Sequence, residues 1–191
     1  SDRYPHYTLI ELASSTEKDD LKTGAETILE EALRNGILEN AVIAESESQA
    51  KQLWKIREEI PAAQSKEGES IKHDVSVPIS TTIQFIKQGT KLAEDAIPGV
   101  RICAFGHIGD GNIHFNLTQP IDCNRGEFIE YSAKINRIIH DLVTAMRGSI
   151  SAEHGIGLSK RDDLYHYSSM VKIDLMRQIK QSVDPRNIMN P

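Results

Sequence analysis

The chain has 191 residues, enough for one domain with a real core or for two small ones. Its 39% apolar and 26% charged content fits a globular protein, and a net charge of −6 excludes broad nucleic-acid binding, which needs a basic surface. No run approaches the roughly 18 apolar residues of a membrane helix, no signal-peptide pattern opens the chain, and two cysteines, Cys103 and Cys123, favour a reducing, cytoplasmic setting over a disulfide framework.

In chain order, residues 9–13 read as a first strand. Thr16 offers an N-cap, with Asp19 three residues on. A helix follows, with Leu21, Ala25, Ile28, Leu29, Ala32 and Leu33 at helical spacing and Gly36 as its stop. Residues 37–44 read as a strand. Ser46 and Gln49 then form a capping-box pattern before a helix carrying Leu53, Trp54, Ile56 and Ile60, with a kink or end at Pro61. Residues 71–77 alternate as a strand. Pro78 and Ser80 introduce a helix through Ile83, Ile86 and Leu92, and a hairpin occupies 99–117. The strongest helix covers 127–146 and ends at Gly148. A short strand at 149–152, a helix at about 170–181 and an extended tail from Asp184 complete the chain. This order predicts an α+β fold: a mainly antiparallel sheet, helices largely on one face, and a ferredoxin-like pattern that could be doubled.

The hairpin carries the chemistry. Two histidines flank the glycine-rich stretch of Phe105-Gly106-His107-Ile108-Gly109-Asp110-Gly111-Asn112-Ile113-His114-Phe115-Asn116. A turn at 109–112 would set His107 opposite His114, with Cβ atoms roughly 4.5–5.5 Å apart, close enough to grip one metal ion. Alternation puts Cys103, Phe105, His107, His114 and Asn116 on one face, and Ile102, Ala104, Ile113, Phe115 and Leu117 on the other. A third ligand has to come from elsewhere, and Glu153, at the end of a short strand, is the best candidate. Two histidines, one carboxylate and an open position make a catalytic divalent site; zinc is favoured, and manganese, cobalt and iron suit the same donors. His154 is a candidate general acid/base. Asn116 could bond a substrate oxygen or simply face water. Arg57 and Lys72 suit a carboxylate, although pattern alone favours solvated surface charge.

Three segments in order, residues 107–116, Glu153-His154-Gly155-Ile156-Gly157 and residues 184–191, resemble the C-terminal domain of FAD-linked oxidases related to D-lactate dehydrogenase, glycolate oxidase and D-2-hydroxyglutarate dehydrogenase. The resemblance covers essentially the whole chain. It implies a cap and substrate domain over 1–183, and a tail at 184–191 that returns to an N-terminal FAD-binding domain. It implies FAD held mainly by that other domain, and a divalent metal on His107, His114 and Glu153. His154 becomes the catalytic base, Asn116 a substrate contact, and Arg57 and Lys72 the grip on the substrate carboxylate of a D-2-hydroxy acid. The fifteen-residue spacing of that pair is kept. One position departs: Pro61 stands where the 2-hydroxyglutarate dehydrogenases carry threonine four residues after the arginine. An isolated cap would expose apolar surface that favours homo-oligomers, and the complete protein could meet a membrane peripherally. A metal-dependent hydrolase using the same ligands, and a non-catalytic metal-stabilised module, are the competing readings.

Overall fold

The computed structural model describes residues 3–16 and 20–191. The chain divides into two compact units, Ser1–Ala63 and Gln64–Pro191.

The first unit is helical. Helix α1 (Leu21–Arg34) starts at Asp20, whose carboxylate accepts from the Thr23 N–H at 3.0 Å and from the Thr23 hydroxyl at 2.6 Å. Thr16 lies upstream of this cap, and Asp19 lies outside the described residues. The helix closes at Gly36 (φ +68°), with the Gly36 N–H on Leu33 and the Ile37 N–H on Ala32, the paired bonds of a Schellman ending. Helix α2 (Glu47–Glu58) is capped by Ser46, which accepts from the Gln49 N–H at 3.3 Å. It stops just before Pro61, which sits in the first turn of α3 (Ile60–Lys66), where its missing N–H costs nothing; from Gln64 on, α3 belongs to the second unit. The strands expected at 9–13 and 37–44 do not form among the described residues. Alternating apolar residues make a strand only where another strand offers its edge.

The second unit holds the sheet. Strands β1 (Ser70–Ser76), β2 (Arg101–His107) and β3 (Asn112–Thr118) are all antiparallel, in the order β1-β3-β2. Helix α4 (Thr82–Ala96) joins β1 to β2; α5 (Arg125–Glu130) and α6 (Ser132–Ala145) follow β3. Ser149 then pairs with Ser76 at the free edge of β1 through two backbone hydrogen bonds of 3.0 and 2.8 Å. The unit is therefore α+β with a ferredoxin-like β-α-β-β-α order, its last strand reduced to one bridge. It is not doubled among the described residues. Helices α7 (Arg161–Tyr167) and α8 (Met170–Val183) complete it, and Asp184 accepts the N–H groups of Ile188 and Met189, each at 3.0 Å, in a turn that opens the tail. No helix among the described residues is long and apolar enough to cross a membrane.

One sheet face is the core. Ile71 and Val75 of β1 and Ile113, Phe115 and Leu117 of β3 meet α4 and α6 there, with Ile135, Ile139 and Val143 on the α6 side. The buried side of α4 is Thr82, Phe85, Gly89 and Ala93, whereas Ile83 is 67% and Leu92 38% exposed. Of the three apolar residues that the spacing marks on this helix, Ile86 packs against the core and Ile83 and Leu92 do not belong to it. Gly89 is small because a Cβ there would lie 3.1 Å from the Phe115 ring. The long helix expected at 127–146 breaks at Tyr131 into α5 and α6.

His73 is buried in this core, its Nδ1 donating to the Phe115 carbonyl at 2.9 Å and its ring edge-on to His140. Burial pushes its pKa down to about 4, the Phe115 bond opposing only in part. The unfolded chain therefore takes the proton first, so the stabilisation is complete above pH 6.5 and is lost as pH falls toward 4. Urea denaturation is expected to find the chain about 2 kcal/mol less stable at pH 5 than at pH 8 from this group alone. The His73→Gln variant should lose that part of the pH dependence.

Candidate active site

The other face of the sheet is polar. Lys72, Asp74 and Ser76 of β1 lie across from Asn116, His114 and Asn112 of β3, with Cys103, Phe105 and His107 beyond them on β2. The hairpin register differs from the symmetric one by two residues. His107 pairs with Asn112, and His114 pairs with Phe105. The two histidines keep a common face, because a shift of two preserves the alternation, but they are diagonal rather than opposite. The turn is displaced because the glycines are needed elsewhere. Gly111 has φ +72°, a Cβ on it would lie 1.9 Å from the Val77 carbonyl oxygen, and its own carbonyl accepts the Val77 N–H at 3.0 Å. A Cβ on Gly106 would lie 2.1 Å from the Asn112 carbonyl oxygen. Asp110 closes the turn by accepting the Asn112 N–H at 3.1 Å.

Glu153 arrives from the segment after the Ser149 bridge and reaches both histidines with different oxygens. Its Oε1 is 3.4 Å from His107 Nδ1, and its Oε2 is 3.7 Å from His114 Nε2. The buried Asn112 amide donates to Glu153 Oε1. Glu153 thus meets each histidine through a different oxygen, and among the described residues His107, His114 and Glu153 do not bring one donor atom each within 4.8 Å of one another. His114 is nearly buried, whereas His107 and Glu153 are about half exposed, which leaves one side of the cluster open. His154 stacks on His114, ring centroids 5.7 Å apart and planes 24° apart, with its own side chain 67% exposed.

Asp74 lies beneath both rings, and no sequence motif singles it out. It is 4% exposed. Its Oδ2 accepts three successive backbone N–H groups, from Ala152 at 3.2 Å, Glu153 at 3.0 Å and His154 at 2.8 Å. Burial raises its pKa, but the N–H groups of His154 and Glu153 and the nearby His154 and Lys160 outweigh that and hold it below the usual carboxylate value. Taking one donor atom from each residue, Asp74, His114 and His154 lie within 4.8 Å of one another. The signal available in the sequence is its spacing of two from Lys72 on an alternating strand.

Lys72 is exposed and is the cross-strand neighbour of Asn116. Asn116 does not face water: it is buried, and its Nδ2 donates to Gln64 Oε1 at 2.9 Å, while Gln64 Nε2 donates to Thr118 Oγ1 at 3.2 Å. Gln64 thus fixes the Asn116 amide, another role that no motif marks. Arg57 lies on α2 in the first unit, half-buried.

The family described as FAD linked oxidases, C-terminal domain, matches residues 1–191. The chain belongs to this family. Among its relatives are D-2-hydroxyglutarate dehydrogenases of Xanthomonas citri pv. viticola, 36% identical over 98% of this chain and 39% of the relative, and of Stutzerimonas stutzeri, 36% identical over 98% of this chain and 40% of the relative. The mitochondrial D-2-hydroxyglutarate dehydrogenase of Danio rerio is 31% identical over 98% of this chain and 34% of its own length. The chain therefore spans about two fifths of the bacterial relatives. Within the site, Asn112→Ala should remove the buried donor to Glu153 and lower stability by about 1–3 kcal/mol, measured by urea denaturation at pH 7.

Proposed function

We propose that this chain is the substrate-side domain of an FAD-dependent dehydrogenase that oxidises a D-2-hydroxy acid to the 2-oxo acid, with the flavin as hydride acceptor. D-2-hydroxyglutarate, the substrate in the names of the relatives, is the first acid to test. The observation that carries the reading is the convergence of His107 and His114 on Glu153, with His154 stacked alongside. A hydrolase would need no flavin, and membership of the FAD-linked family speaks against it.

In this reading His107, His114 and Glu153 would hold a divalent ion, zinc being suited to two imidazoles and a carboxylate. When bound, the ion supplies Lewis-acid polarisation of the substrate hydroxyl. His154, exposed at the open side of the cluster, accepts the hydroxyl proton. Lys72 sits on the same sheet face, two residues along β1 from Asp74, and provides a positive charge for a substrate carboxylate. Arg57 is proposed as a second cation for that carboxylate, and Asn116, held by Gln64, as a hydrogen-bonding contact. Membership of the family of FAD-linked oxidase C-terminal domains supports a flavin held mainly by a part of the protein outside these residues.

Two measurements on the complete flavoprotein test this. The His154→Ala variant should keep its FAD and lose about 100-fold or more in kcat on the hydroxy acid; undiminished turnover would remove His154 from proton transfer. Purified protein should hold about one divalent ion per chain, lost in His114→Ala. Equal metal content in the two proteins would remove the metal from the reading.

A further inference from the structure

Asp74 has no part in the proton or metal chemistry described so far, yet it is the carboxylate on which the cluster rests. We propose that Asp74 is a positioning residue that fixes the tautomer and aim of both His114 and His154; this rests on the roles proposed for those histidines.

Its two oxygens are engaged differently. Oδ2 is held by the three N–H groups of residues 152–154, so the carboxylate plane cannot turn. Oδ1 is buried and accepts no hydrogen bond among the described residues. A desolvated carboxylate oxygen without a donor is costly, so this atom demands a proton donor. The nitrogen facing it is His114 Nδ1, at 3.7 Å. His154 Nδ1 lies at 3.7 Å from Oδ2. Both contacts exceed hydrogen-bond length by about 0.7 Å, and contacts of this kind tighten when a site closes on its substrate.

The same nitrogen of each ring therefore faces the same anion. An imidazole that carries its proton on Nδ1 toward a carboxylate keeps a lone pair on Nε2. For His114, Nε2 is the atom 3.7 Å from Glu153 Oε2, on the side of the candidate metal position. For His154, Nε2 is then the base. One buried carboxylate gives the two histidines their different tasks by setting the same tautomer in each. The Oδ2 bonds also place Glu153 and His154 themselves, because the N–H groups that Oδ2 accepts are theirs.

The test compares wild type, Asp74→Asn and His114→Ala in the complete flavoprotein. Asparagine keeps the shape and can still accept from residues 152–154, but it turns an NH2 group toward His114 and forces the other tautomer. Asp74→Asn is expected to weaken zinc binding, measured by chelator competition, by about 10–100-fold and to lower kcat by a similar factor, with FAD content unchanged. Zinc affinity and kcat both within about threefold of wild type, even with a lowered melting temperature, would reduce Asp74 to a loop clamp and overturn the proposal. Retention of zinc by His114→Ala would instead overturn the metal reading, and the proposal with it. Should Asp74→Asn fail to fold, 15N spectra of metal-free wild type decide. Protons on Nδ1 of both rings support the assignment, and a proton on Nε2 of either overturns it.

Discussion

A single carboxylate oxygen, Oδ2 of Asp74, gathers three consecutive backbone N–H groups from residues 152–154. The placing of Glu153 and His154 on the polar face follows from that contact. Asp74 belongs to β1, and the segment it holds comes from far along the chain, after α6. The Ser149 bridge, a 3.2 Å bond from the Ala152 N–H to the Asp74 backbone carbonyl and the Asn112 amide on Glu153 also join this segment to the sheet, and the Oδ2 contact adds a direct hold on the backbone of Glu153 and His154. With it, a carboxylate and an imidazole stand beside the two histidines of the hairpin. The contact is strong for an ordinary reason: an ionised acceptor with several N–H donors, away from water, is worth more than neutral hydrogen bonds.

The sheet makes this arrangement possible by separating its faces. β3 is central and pairs on both sides, so each of its residues has a cross-strand neighbour on β1 and another on β2. Ile113, Phe115 and Leu117 meet α4 and α6, while Asn112, His114 and Asn116 take the opposite side with partners of their own. Two buried amides, Asn112 and Asn116, hold Glu153 and Gln64 respectively, so the polar face is braced by side chains rather than by more backbone. Close approach at Gly106 and Gly111 lets the hairpin sit against Val77 and brings His107 over Glu153.

Much of this is legible in the amino-acid sequence. Alternation sorts the hairpin faces, and the family resemblance names His107, His114, Glu153 and His154 as one cluster; in the fold Glu153 approaches both hairpin histidines and His154 stacks on His114, while the set that meets at ligand distance among the described residues is Asp74, His114 and His154. The register escapes by two residues because a Gly-Asp-Gly-Asn stretch fits more than one turn, and only contact with Val77 selects between them. The buried side of α4 escapes because Thr82 and Gly89 do not look like core residues, whereas Ile83 and Leu92 do. What decides is the bulk of Phe115 across the interface. Residues 9–13 and 37–44 have the composition of strands and no edge to join.

The sequence by itself determined the local rules: which residues end helices, which alternate, and which donors stand at ligand spacing. These depend on neighbours within a few positions, as with the glycine that closes α1. Tertiary structure alone decided that Asp74 lies beneath the histidines and Gln64 beside Asn116, because those contacts join residues about 80 and 52 positions apart. No local pattern marks such residues, since each is an ordinary polar side chain until the chain closes around it.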